Sequence, residues 1–418
     1  MSSRTCLPVL ARLFFKLISI VDRILQPNGG LIHLMDPGRG GQRAAIALRY
    51  FSWRKLANAI ITELEFKLGR KRTIGKPFEW EVDTTNICQL KCPLCHTGLG
   101  NIHRDKGVMS FEMYRKTIDE IKSYCVWMTL YSWGEPFLNK NIDKFIRYAH
   151  EARIATIIST NLNKPLTLEM AEAVVSSGLD TMIVSLDGVS QEVYEQYRVG
   201  GQLDRVLTNL RLLVEVKKRL GSESPYIEWQ FIVMKQNEHQ VNQAREMAAE
   251  IGVNGIIFKN VDFPWGMDDP DLAKKWLPLG DSRYIREETF DRPYKEDGAA
   301  CWRLWRSAVV NWDGGFAPCC YLTDKEHDFG NVSTEDVDTI WNNQAYVTAR
   351  ALFRGEIPKR EIGCLECSVF LNSPEGKRWS DRDTVSGEGN GHRAELPLLT
   401  SNGSMTSGPG DHLTRRGS

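Results

Sequence analysis

Apolar and polar positions recur along this chain with two different periods, and where the period changes an element ends. From residue 78 onward, short apolar runs rich in β-branched and aromatic residues read as strands: "FEWEVD", "CVWMTLYS", "ATIIST", "TMIVSL", "YIEWQFIV" and "GIIFKN". Between them, "FEMYRKTIDEIKS", "NIDKFIRYAHEA", "LEMAEAVVSSG", "LDRVLTNLRLLVEVKKRL" and "NEHQVNQAREMAAEIG" carry apolar residues at helical spacing. Strands alternating with helices of this length imply βα units and a parallel sheet. Six such units fall short of an eight-unit barrel. The expected fold is therefore α/β, a partial (β/α)6 TIM-like barrel over residues 76–262. Its working face would be the C-terminal ends of the strands.

The flanks have a different texture. Residues 1–75 read as a helical, basic extension. Within residues 7–26, Leu10, Phe14, Leu17, Ile18, Val21 and Leu25 fall near helical spacing, while Arg12, Lys16, Asp22 and Arg23 interrupt the apolar run. That run is too broken to span a bilayer, which takes roughly 18 or more apolar residues. Two readings stay open: a helix lying on a membrane surface, or one packed on the protein's own body. Residues 263–300 are a Pro/Asp-rich connector, residues 301–370 a compact cysteine-bearing module. The Gly/Ser-rich stretch 371–418 is expected to be a disordered tail.

Composition narrows the function. The 53 basic and 53 acidic side chains cancel, which gives no support for a nucleic-acid partner. Eight of the ten cysteines fall in three groups, at 88/92/95, 301/319/320 and 364/367. In a chain this long, without a cleavable signal peptide, such groups read as metal or Fe–S ligands in a reducing compartment, so the expected location is cytoplasmic, with peripheral membrane contact through residues 7–26. Cys125, inside an apolar strand, reads as a small buried hydrophobe.

The first group is the most informative. "DTTNICQLKCPLCHTG" places Cys88, Cys92 and Cys95 in one loop directly after the first barrel strand. A [4Fe–4S] cluster needs four outer ligands, so three thiolates leave one iron open to a small molecule. The competing reading of the spacing is a structural zinc site that borrows His96 or His103 as its fourth ligand.

The C-x3-C-x2-C spacing resembles the signature of the radical S-adenosylmethionine (radical SAM) superfamily. "YSWGEPFLN" at the second strand's end is similar to that family's Gly-Gly-Glu motif, with Trp133 in place of the first glycine, followed by Gly134, Glu135 and Pro136. "STNL" at the third strand's end resembles Thr-Asn-Gly, with Leu162 replacing the glycine, and "VSLDG" ends the fourth strand. The resemblance covers roughly residues 78–260 and implies an enzyme that cleaves S-adenosylmethionine reductively to a 5′-deoxyadenosyl radical, which abstracts a substrate hydrogen. It makes Cys88, Cys92 and Cys95 ligands of the SAM-binding cluster. It makes Gly134, Glu135, Thr160, Asn161 and Ser185 contacts to SAM. Asp187 is either part of this set or a cap for the following helix.

The later cysteines resemble the shortened, twitch-type relative of the SPASM module. That resemblance implies an auxiliary [4Fe–4S] cluster held by Cys301, Cys319, Cys364 and Cys367, with Cys320 spare. A four-cysteine zinc ribbon is the competing reading of the count. "VVNWDGGFAPCC" is expected to form a β-hairpin turning at Asp313-Gly314.

Tyr194, Tyr197 and Arg198 follow the fourth strand in a stretch frequent in the family, and packing is the alternative. Gln230, Lys259 and Asn260 are candidates for pointing into the barrel. The expected reaction is oxidation or epimerisation of a small molecule (a sugar, nucleoside or lipid-linked intermediate), because the N-terminal extension shows no strand-rich module for a leader peptide. The alternatives are a maturase of a ribosomally made peptide and a non-catalytic zinc-binding protein. A flavodoxin or ferredoxin is the expected electron donor. No catalytic residue is assigned.

Overall fold

A computed structural model describes residues 46, 49–261, 263, 270–280, 301–356, 362–371 and 373–378. Residues 7–26 lie outside them, as do most of the connector and most of the tail. The first long helix, α1 (Trp53–Leu68), begins at Ser52, whose side chain accepts from the Lys55 amide, and ends at Gly69 in the left-handed region.

Strands β1 (Glu79–Val82), β2 (Trp127–Thr129), β3 (Ala155–Thr160), β4 (Thr181–Ser185), β5 (Tyr226–Val233) and β6 (Gly255–Asn260) follow in sequence. Each pairs in parallel with the next. Helices α2 (Phe111–Ile121), α3 (Ile142–Glu151), α4 (Leu168–Val175), α5 (Gln191–Tyr197), α6 (Leu203–Arg219) and α7 (Val241–Ile251) lie between the strands; all but α5, for which the pattern gives no bounds, fall close to the bounds it predicts. Ser110 and Thr167 cap α2 and α4, each accepting from the amide three residues on.

The C-terminal module extends this sheet. Strand β7 (Ser307–Val310) runs parallel to β1 on its free edge, and β8 (Gly315–Ala317) and β9 (Gly330–Asn331) add antiparallel strands. The order β6-β5-β4-β3-β2-β1-β7-β8-β9 makes one open sheet of nine strands, the partial barrel expected. The β7–β8 hairpin turns through Asp313 and Gly314, the latter at φ +84°.

Side-chain parity sorts the two faces of the sheet. Trp80 and Val82, Met128, Ile158, Val184 and Phe231 join the helices' Ile118, Ile146, Val174 and Leu210 in one core. Glu79, Glu81, Ser159, Ser185 and Gln230 alternate with these, so they occupy the opposite, inner face. The inner face is apolar near the strand starts, where Trp127, Ala155 and Ile157 cluster, and turns polar toward the strand ends at Ser159, Ser185 and Gln230.

Two expectations shift. Part of the Pro/Asp-rich connector forms a helix, Pro270–Trp276. Residues 374–378 are also helical where a disordered tail was expected from 371, because Ser373 is buried and its hydroxyl caps the turn by accepting from the Gly376 amide.

Candidate active site

The loop after β1 is fixed at many points before its first cysteine. Thr85 Oγ1 donates to Gly107 O at 2.7 Å, Asn86 Nδ2 donates to Asp105 O at 2.8 Å, and Asn86 Oδ1 accepts from the Gly107 amide. The Glu135 amide donates to Ile87 O at 2.9 Å. Here Gly134 has a steric reason: a Cβ on it would lie 1.7 Å from Thr85 O. The three thiols are free, with Cys92 buried and Cys88 and Cys95 half-buried. Asn161 Nδ2 donates to Cys88 Sγ at 3.5 Å, and Arg198 Nη1 donates to Cys92 Sγ at 3.8 Å. Burial, with Cys92 and Cys95 nearby, pushes the Cys88 thiol up to about 12. Thiols held this way ionise readily only when a cation such as iron faces them.

The strand-end residues meet around this loop. Glu135 is buried, and its carboxylate accepts from Thr160 Oγ1 at 2.6 Å and from the Asn161 amide at 2.8 Å. The side chains of Glu135 and Thr160 are thus spent on tying β2 to β3, and what they offer a ligand is backbone. Leu162 sits at φ +53°, the conformation that a glycine would adopt without penalty. Ser185 Oγ lies 3.3 Å from Ser159 Oγ on the inner face. Asp187 does not cap the next helix. Its carboxylate pairs with Arg198 at 2.6 Å and accepts from the Ile232 amide, so both of its oxygens are committed. Tyr197 packs beside Cys92 and Leu94, whereas the Tyr194 hydroxyl accepts from Asn163. Gln230 stands opposite Ser185 in register. Lys259 shares that parity and Asn260 does not, so the strand turns only the former toward the inner face.

The C-terminal cysteines come from three segments. Cys364 is near enough to feel Cys319, Cys301 and Cys367, and Cys301 feels Cys319 and Cys367. Backbone amides of Tyr321 and Leu322 point at Cys319. Cys320 faces away, toward Glu81 and Arg303. Among the described residues no three His, Cys, Asp or Glu side chains converge on a point where they could share a single ion. The donor sets otherwise fit their groups: three thiols in the loop after β1, with N–H donors from Asn161 and Arg198, and four thiols in the module that extends the sheet beside β1. His103 pairs with Asp324, and the His96 ring meets Trp133 edge-on at 4.9 Å. Cys125 is fully buried, as expected.

Several residues carry more than the sequence reading gave them. Arg104, buried, donates to both oxygens of Asp313 and to Asp328, clamping the hairpin to the cluster loop. Trp133 Nε1 donates to Cys320 O at 2.8 Å, while its carbonyl accepts from Thr97 Oγ1. Asp83 is 3% exposed and its Oδ1 has no hydrogen-bond partner. Burial and the neighbouring Glu81 push its carboxyl up to about 8. The alternation in "FEWEVD", acid against apolar, was the available signal for this pair.

The comparisons agree with this geometry. The radical SAM superfamily pattern matches residues 82–227, and the SPASM iron-sulfur cluster-binding domain matches residues 301–368. The tungsten-containing aldehyde ferredoxin oxidoreductase cofactor-modifying protein of Pyrococcus furiosus is 22% identical over 69% of this chain and 86% of its own length. The subtilosin biosynthesis protein AlbA of Bacillus subtilis is 22% identical over 69% of this chain but 64% of its own length, so the chain spans slightly under two thirds of that relative. The PqqA peptide cyclase of Ruegeria pomeroyi is 24% identical over 66% of this chain and 77% of its own length. SuiB of Streptococcus suis bound to S-adenosylmethionine shares the fold, with TM-score 0.51 and 17% identity over 81% of this chain and 82% of that one.

A partial barrel with three thiols at its strand ends and a second thiol set in the module beside β1 matches an Fe–S enzyme that uses S-adenosylmethionine. The chain belongs to the radical SAM superfamily and carries a C-terminal SPASM-type module. Its cofactors are S-adenosylmethionine, a [4Fe–4S] cluster at the SAM site and an auxiliary iron-sulfur cluster. Among the described residues, no helix is long and apolar enough to cross a membrane.

Proposed function

We propose that this enzyme matures a ribosomally made peptide. The observation that carries the reading is the alignment with AlbA and the PqqA peptide cyclase. One is a bacteriocin biosynthesis protein and the other a peptide cyclase, and both align over about two thirds of this chain. This support outweighs the small-molecule substrate favoured from the sequence. The cofactor-modifying relative is the observation that keeps a non-peptide substrate as the second reading.

In this reading the core is residues 76–262 and the auxiliary module residues 301–370. Cys88, Cys92 and Cys95 would hold the SAM-binding cluster, which when reduced would supply the one electron that splits S-adenosylmethionine into methionine and a hydrogen-abstracting 5′-deoxyadenosyl radical. Asn161 and Arg198 direct N–H groups at its sulfurs. Gly134 keeps the β2 end close to the loop, and the backbones of Glu135 and Thr160, with Asn161 and Ser185, line the SAM position. Cys301, Cys319, Cys364 and Cys367 hold the auxiliary cluster. A flavodoxin or ferredoxin supplies electrons in the cytoplasm.

The test is to search the neighbouring genes for a short precursor peptide and to follow anaerobic turnover of any such peptide with S-adenosylmethionine. A change of peptide mass that depends on S-adenosylmethionine supports the reading. Rapid 5′-deoxyadenosine formation driven only by a small metabolite would replace it with the second.

A further inference from the structure

Helix α1 is amphipathic in the reverse sense. Its polar residues Lys55, Thr62, Glu63 and Glu65 are buried. They are held by the rest of the protein: Glu63 pairs with Arg306, Glu65 accepts from the amides of Ile74 and Gly75, and Lys55 donates to Arg153 O. Phe66 is buried with them and Leu56 and Ile60 are half-buried, but several large apolar residues face outward. Trp53 is 76% exposed, Leu68 71% and Ile74, just beyond the helix, 78%, with Ile61 and Leu64 also exposed. At 100° per residue, Trp53, Ala57, Ile61, Leu64 and Leu68 fall in one stripe about 80° wide, roughly 22 Å long at 1.5 Å per residue.

A buried polar face and an exposed apolar one reverse what water rewards, so the stripe is built for a partner. Its charge says which. Arg54 and Lys67 flank it on either side, Arg54 exposed and Lys67 half-buried, and Arg70 and Arg72 are exposed just past its C-terminal end. Both acids of the helix point inward. The nearby surface acids are Glu356, which Lys71 engages, and Asp338, which Lys76 engages. Apolar residues with a tryptophan, bordered by cations, match the headgroup boundary of an anionic lipid layer. A second copy of this chain would set like charges against each other.

We infer that the outward face of α1, with Ile74, docks this enzyme on an anionic membrane surface. This inference stands on α1 alone and needs neither the peptide reading nor residues 7–26.

The test is flotation of the full-length, cluster-loaded protein with vesicles of phosphatidylglycerol and phosphatidylcholine, against phosphatidylcholine alone. The wild type is expected to float with the anionic vesicles only. The combined substitution Trp53→Ser, Leu64→Ser and Leu68→Ser should lower the bound fraction at least about tenfold while leaving the melting temperature near that of the wild type, since all three side chains are exposed. Arg54→Glu with Lys67→Glu, which leaves the apolar stripe intact, should weaken anionic binding and keep the fold. Leu168→Ser with Leu220→Ser, exposed elsewhere, should change nothing. Wild-type protein that does not float, or a triple variant that floats as well as the wild type, overturns the inference. So does a dimer in light scattering that the triple variant dissolves without any flotation.

Discussion

The loop cysteines and the module cysteines solve the same ligand problem by opposite means. Cys88, Cys92 and Cys95 arrive within eight consecutive positions, and other elements then bring donors to them: Asn161 from just beyond β3 and Arg198 from the end of α5. Cys301, Cys319, Cys364 and Cys367 arrive from three segments, gathered by β7, β8 and the turn Gly363–Leu365. The loop site sits where six parallel strands point. Exposure does not separate the two sets, since two of the three loop cysteines and three of the four module cysteines are half-buried. What separates them is the thiol count, three against four. An incomplete set placed at a barrel mouth is arranged to take a ligand, whereas a complete set beside it is arranged to hold or pass electrons.

The largest effect should come from breaking the closed set. Cys364→Ala is expected to remove the auxiliary cluster and substrate turnover, yet leave S-adenosylmethionine cleavage to 5′-deoxyadenosine within about tenfold of wild type. Cys320→Ala should keep both clusters, since that thiol faces Glu81 and Arg303. Iron analysis with chromatography of the nucleoside checks both variants, and a Cys320→Ala protein lacking the auxiliary cluster would exchange the roles of the neighbouring cysteines.

The clamp between the two regions comes next. Arg104→Met leaves Asp313 and Asp328 half-buried without their cation, and should cost about 3–5 kcal/mol in denaturant unfolding. A cost below about 1 kcal/mol would mean the regions are held together elsewhere.

Asp83 gives a pH-dependent effect. Its folded pKa, pushed up to about 8, lies above that of an unfolded aspartate, so burial favours the protonated form. The unfolded state then releases its proton first, and wild-type stability falls as pH rises from about 4 through about 8. Asp83→Asn removes that slope and should gain on the order of a few kcal/mol over wild type at pH 9, and little at pH 4. Parallel urea titrations at the two pH values measure it, and an equal offset at both would contradict the assignment.

The smallest effect is at Leu162. Replacing it by glycine relieves a left-handed backbone worth roughly 1–2 kcal/mol. It also removes a buried leucine, worth about 3–5 kcal/mol. Packing wins, so Leu162→Gly should be destabilised by about 1–4 kcal/mol in thermal unfolding. A gain in melting temperature would show that the strain dominates.

Much of this was legible because it is local. β3, β5 and β6 begin and end where the apolar runs do, and the Cys88 loop declares itself by spacing. The hairpin at Asp313-Gly314 follows from turn chemistry. What escaped is long-range. No period in the sequence says that β7 lies beside β1, or that Arg104 reaches Asp313 and Asp328. Asp187 had the sequence of a helix cap and was claimed by Arg198, because a buried carboxylate gains more from a guanidinium than from a frayed helix end. The reversed face of α1 was invisible for the same reason. Nothing in the local sequence says that Arg306 lies against Glu63, or the Ile74 and Gly75 amides against Glu65.

The central claim is that the loop set is open and the module set is closed. Anaerobic iron counting with 5′-deoxyadenosine analysis of the Cys88→Ala, Cys92→Ala, Cys95→Ala triple variant tests it most directly. The expected result is a fall from about eight to about four irons per chain, with cleavage abolished. Cleavage that survives in the triple variant, or zinc in place of iron at the loop of the wild type, would contradict it.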